Sequence, residues 1–95
     1  MTNPPMPAQM KLKWENQSLE KFNTVIQKIP LFHRDIAKQV VIKKAEQNAQ
    51  ERRSEFVQEE DIIRAFFSEV PMAFYSLMVR LLEEVGFNYR DYEPK

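Results

Sequence analysis

The chain has no cysteine, one glycine and no net charge. The missing cysteine excludes disulfides, thiolate nucleophiles, iron–sulfur ligation by this chain and zinc ribbons, and it agrees with a reducing cytoplasm. β-rich folds and phosphate-cradling loops both lean on glycine for left-handed turns. One glycine therefore points to helices and away from nucleotide-binding loops. Fourteen Lys and Arg balance fourteen Asp and Glu, so the basic excess that phosphate contacts demand is missing. Long apolar runs are missing too. The richest, VPMAFYSLMV over residues 70–79, is about half a membrane span and is closed by Arg80. The opening MTNPPMPAQM has neither the basic residues nor the apolar run of a signal peptide. These absences lead to the expectation of a cytoplasmic protein with no membrane partner, built as one domain.

What is present is helical periodicity. Residues 1–12 carry three prolines and little to bury, and read as a disordered arm before a single domain over 13–95. Leu19, Phe22, Val25, Ile26 and Ile29 form one apolar stripe, with Asn16 or Ser18 as its cap and Pro30 at its end. A second helix spans Leu31 to about Gln50. Ile36, Ala37, Val40, Val41, Ile42, Ala45 and Ala49 occupy more than half of its girth, leaving a polar strip of Gln39, Lys43, Glu46 and Gln50. Such a helix is expected to be covered on more than one side. Residues Glu51 to Glu55 read as a solvated link. A third helix opens at Glu59, Glu60 and Asp61, acids suited to the positive end of its dipole, and buries Ile62, Ile63, Phe66, Phe67 and Val70. Pro71 suits the first position of a fourth helix bearing Phe74, Leu77, Met78, Leu81, Leu82 and Val85, with Gly86 at its end. The aromatic tail from Phe87 to Tyr92 is expected to fold back. No alternating strand pattern occurs. The fold class is all-α: a compact four-helix domain, short–long–short, with a fourth apolar helix.

His33-Arg34-Asp35 spells the catalytic-loop tripeptide of protein kinases. On a helix these side chains point 100° apart and cannot converge, and no glycine-rich loop or Asp-Phe-Gly accompanies them. His33 is the sole histidine, with Ile36 and Ala37 at its helical offsets, a poor metal site. Arg34 and Lys38 share one helix face. They are expected to pair with acids such as Glu59 and Asp61, or, with His33 and Phe32, to bind an anion. Residues 34–53 are locally basic and 54–70 locally acidic, which favours pairing within the fold. The short–long–short order also admits histone-like DNA binding, although zero net charge weakens it. No carboxylate pair stands out as acid and base. Met72, Tyr75 and Val79 add apolar surface to the fourth helix, to be covered by the tail or used at a homodimer or partner interface.

Trp14, the run Ile29-Pro30-Leu31-Phe32-His33-Arg34, then Ala37-Lys38, Ala45 and Val57 to Ile62 together form a pattern. It resembles the small helical domain that ends one of the subunits of light-independent protochlorophyllide reductase, a domain that also occurs alone. Pro30, Leu31, Phe32 and Arg34 match its core, Ala37 and Ala45 its small positions, and Lys38 replaces an arginine. Ile42 stands where that family has a glutamate, Gln58 where it has a capping threonine, and the glycine after the central helix is missing. The resemblance covers residues 14–67; the fourth helix and tail, 68–95, lie outside it. It implies an accessory module of a tetrapyrrole enzyme, with the cluster and the reductase chemistry elsewhere. The expectation is a non-enzymatic interaction module without cofactor or metal. The alternatives are binding of a tetrapyrrole or other anion, and DNA binding.

Overall fold

A computed structural model describes residues 12–93; apart from Leu12, the expected arm over 1–12 lies outside them. The described elements run β1 (Lys13–Trp14), α1 (Asn16–Gln27), α2 (Leu31–Glu51), β2 (Phe56–Val57), α3 (Glu59–Glu69) and α4 (Tyr75–Val85), with 3-10 turns at Met72–Phe74 and Arg90–Tyr92. The all-α architecture read from the periodicity is the observed one. β1 and β2 pair in parallel, Lys13 opposite Phe56 and Trp14 opposite Val57. Two residues per strand are too few to leave an alternating pattern, so this bridge has no signature in the sequence.

The helix ends follow local chemistry. Neither Asn16 nor Ser18 caps α1. Glu15 holds the cap position, and the Ser18 hydroxyl donates back to its carboxylate at 2.6 Å. α2 ends in a Schellman turn: Arg53 N–H donates to Gln50 O and Ser54 N–H to Ala49 O, both at 2.9 Å. This turn requires a left-handed residue, and Arg53 supplies it at φ 60°. α4 ends in the same motif with Gly86 at φ 96°, and both Leu82 and Phe87 are buried beside it. Pro71 does not open α4 directly. It precedes the 3-10 turn Met72–Phe74, and the α-helix begins at Tyr75.

The core gathers where α2 meets α3. Val41, Ile42, Ala45 and Ala49 face Ile62, Ile63 and Phe66, and Trp14 and Phe22 close the aromatic end. The Trp14–Phe22 and Phe22–Phe66 ring centroids lie 5.3 and 6.0 Å apart in tilted contacts, worth about 0.5–1.5 kcal/mol each beyond the area they bury. The tail does fold back. Phe87 and Tyr89 enter the core, and Tyr92 packs under Arg64, whose guanidinium carbon is 5.7 Å from the ring centroid. Lys21 ties the layers together, donating to Glu59 at 3.1 Å and to Gly86 O at 3.1 Å, while Glu59 also accepts from Asn88 N–H.

One expectation fails for half of α2. At 21 residues it is about 31 Å long, whereas α3, at 11, is about 16 Å. α3 covers only the second half. No side chain from Leu31 to Val40 is fully buried; burial begins at Val41. α2 meets α3, α1 and β2, so it is covered on more than one side, but the outer side of its first half is left open.

Candidate functional site

The buried polar groups are the first place where chemistry could reside. Asp61 is fully buried at the third position of α3, where its carboxylate accepts from Gln58 N–H at 2.9 Å and from Arg52 at 2.9 and 2.7 Å. These hydrogen bonds hold the Arg52 guanidinium above its ordinary, already high pKa. Asn48 donates to the Asp61 carbonyl at 3.0 Å. Glu46 is also buried. It accepts from the Trp14 indole at 3.2 Å and from Leu12 N–H at 3.4 Å. Two corrections follow. Glu46 belongs to the core, not to the polar strip of α2, and Arg52 is an ion-pair anchor, not part of a solvated link. Each carboxylate is held by donors of the fold itself. Among the described residues, no group of three or more His, Cys, Asp or Glu is placed to hold a metal ion.

The expected partners of Arg34 and Lys38 are taken by others: Glu59 pairs with Lys21, and Asp61 with Arg52. Arg34 instead caps α1. Its Nη2 donates to Gln27 O at 2.8 Å and to Ile29 O at 3.0 Å, at the negative end of that helix. Its Nε is buried with no hydrogen-bond partner among the described residues. Lys38 is half-buried and makes no ion pair among them. His33 is exposed, and its ring lies 4.2 Å from that of Phe32. Arg34 and Lys38 therefore face the body of the domain, while Phe32 and His33 face out. The four do not converge.

What the geometry does bring together is an apolar stripe. Phe32 is 81% exposed, Ile36 69% and Val40 39%; Leu31, 74% exposed, starts the helix about 140° round from their centre. Phe32, Ile36 and Val40 are successive fourth residues, spread over about 80° of the helix and about 12 Å of its length. They lie opposite Val41, Ile42, Ala45 and Ala49, so the helix cannot turn them inward. Lys43 and Lys44 follow at the stripe's end, and Asp35 is the only acid between Leu31 and Lys44. Of this surface, Phe32 and His33 were named from the sequence as site candidates. Ile36 and Val40 were named as covered residues of α2 instead. The signal for them was apolar residues round more than half of the girth of α2, Phe32, Ile36 and Val40 standing opposite Val41, Ala45 and Ala49.

Of the three residues expected on the fourth helix, Met72 lies in the preceding 3-10 turn and is exposed, and Tyr75 and Val79 are half-buried. The Tyr75 hydroxyl donates to the Phe67 carbonyl, and the two rings meet edge-on at 5.5 Å. Phe67, Tyr75, Ser76, Val79 and Glu93 line an open cleft of about 430 Å³. The tail covers α3, and among its described residues Glu93 alone lines this cleft. Tyr92 on α3 has its phenol pushed above the usual value near 10.0, by burial first and then by the charge of Glu60.

A sequence-family comparison covers residues 7–95, nearly the whole chain, with the model of a family described as a protein of unknown function, DUF2621. The chain belongs to the DUF2621 family. No curated protein and no solved structure matches it. In this DUF2621 chain the family match takes in the buried Trp14–Glu46 and Arg52–Asp61 pairs, the α2 stripe, the fourth helix and the tail.

Proposed function

We propose that this DUF2621 chain is a non-catalytic helical interaction module whose docking face is the outer side of the first half of α2. The observation that carries this reading is the stripe of Phe32, Ile36 and Val40, held in water on the side of α2 opposite its core face. A contiguous apolar patch on a small domain is costly to leave exposed and marks a contact surface. The buried carboxylates support the non-catalytic part, since Glu46 and Asp61 are engaged by Trp14, Arg52 and backbone N–H groups. The resemblance to an accessory domain of protochlorophyllide reductase agrees with a module that works by contact.

The test is fractionation of cell extract by size and by membrane association. The wild-type chain should run apart from its 11.4 kDa monomer position. The Phe32→Ser/Ile36→Ser variant should return to that position with unchanged unfolding. The same distribution for both proteins would remove the stripe from the function.

A further inference from the structure

Resting on the docking face just described, we propose that the occupant of the α2 stripe is an anionic lipid surface, on which the first half of α2 lies in the headgroup plane. Charge is placed unevenly on a chain with no net charge. From Leu31 to Lys44 there are four cations against one acid, Asp35; Arg34 and Lys38 face the body of the domain, and Lys43 and Lys44 lie on the outer side. On a helical projection the outward sector holds Phe32, Ile36 and Val40, with Gln39, His33, Lys43 and Lys44 around them. It holds no acid. Asp35 sits about 100° from the stripe's centre. Lys43 and Lys44 make no ion pair among the described residues, so their charge is open to a partner.

An apolar stripe edged by free lysines is the pattern of a helix that buries one face at the acyl boundary and leaves its cations among anionic headgroups. The shape agrees. The stripe stands on the side of α2 that faces away from the core, with Phe32 and Ile36 exposed, so a surface can approach it. A second copy would cover the stripe but leave Lys43 and Lys44 without an anionic partner, since Asp35 is the one acid from Leu31 to Lys44. A nucleic acid would be met by an apolar centre. The expectation of no membrane partner rested on run length, and no single helix among the described residues is long and apolar enough to cross a membrane. That criterion tests spanning, and a surface helix needs only one apolar face.

The experiment is co-sedimentation of the full chain with vesicles of phosphatidylglycerol mixed with phosphatidylcholine, and with phosphatidylcholine alone. Binding is expected to the mixed vesicles only, falling as salt rises. Phe32→Ser/Ile36→Ser and, separately, Lys43→Gln/Lys44→Gln should each weaken it by more than about tenfold. Phe74→Ser, a control at another exposed apolar residue, should leave it unchanged. No binding to anionic vesicles at low salt overturns the proposal, as does binding indifferent to the stripe variants. If the chain fails to bind vesicles but its extract fractionation still depends on Phe32 and Ile36, a protein occupies the face. The lipid assignment then falls while the docking face stands.

Discussion

Asp61, with no exposed surface, takes two hydrogen bonds from Arg52 at 2.9 and 2.7 Å, closing the turn between α2 and α3. The pair joins the last turn of the long helix to the first turn of the helix that covers it. Arg52→Met would leave a buried carboxylate with only Gln58 N–H as its donor. The expected loss is about 3–5 kcal/mol in urea unfolding, a large share of the roughly 5–10 kcal/mol that a domain of this size commands. A loss under about 1 kcal/mol would show that the pair does not anchor the turn.

Trp14 and Glu46 give a second anchor, and the chain has a single tryptophan to report it. Glu46→Ala leaves the buried indole N–H without its acceptor and should cost about 2 kcal/mol. Glu46→Gln keeps a carbonyl acceptor and should cost less. Unfolding followed by tryptophan emission measures both; equal losses would deny the hydrogen bond its role.

Arg53 sits at φ 60° in the turn that ends α2. A side chain costs about 1–2 kcal/mol in that conformation, and glycine recovers most of this against its own greater chain entropy. Arg53→Gly should therefore stabilise the protein by about 0.5–1 kcal/mol. A destabilised variant would mean that the arginine side chain makes a contact of its own.

The Tyr92 phenol has its pKa raised in the folded chain, by burial and by Glu60. A folded value above the unfolded one means that the folded state holds the proton longer. The stability linked to Tyr92 is fully present below its unfolded value near 10.0 and is lost as pH rises through the folded one. Tyr92→Phe should flatten the alkaline fall in stability above that pH. An unchanged alkaline limb would place the loss elsewhere.

The four helices were legible because each leaves a periodic apolar face, and Pro30, Pro71 and Gly86 punctuate them. The first half of α2 was misjudged for a physical reason. Periodicity shows which residues are apolar, not which side of a helix its neighbours will cover. Ile36 and Val40 stand in water because they lie on the side of α2 opposite Val41, Ile42, Ala45 and Ala49, the face that packs into the core. Arg34 and Lys38 were recognisable as a pair of cations, but their partners were not. Arg34 meets carbonyls at the end of α1, and a backbone acceptor carries no sequence signature. Glu46 looked solvent-facing because it falls within the polar strip. Its burial depends on Trp14, 32 residues away, a long-range contact that no local window contains.

The absence of cysteine allows the docking face to be probed at one atom. Ile36→Cys and, as an exposed reference on α1, Thr24→Cys each give a chain with a single thiol. In purified protein both should react with maleimide at similar rates. In intact cells the thiol at position 36 should be protected at least about tenfold relative to position 24, because a covered apolar face excludes the reagent. Equal labelling of the two positions in cells would contradict the claim that the first half of α2 is a contact surface.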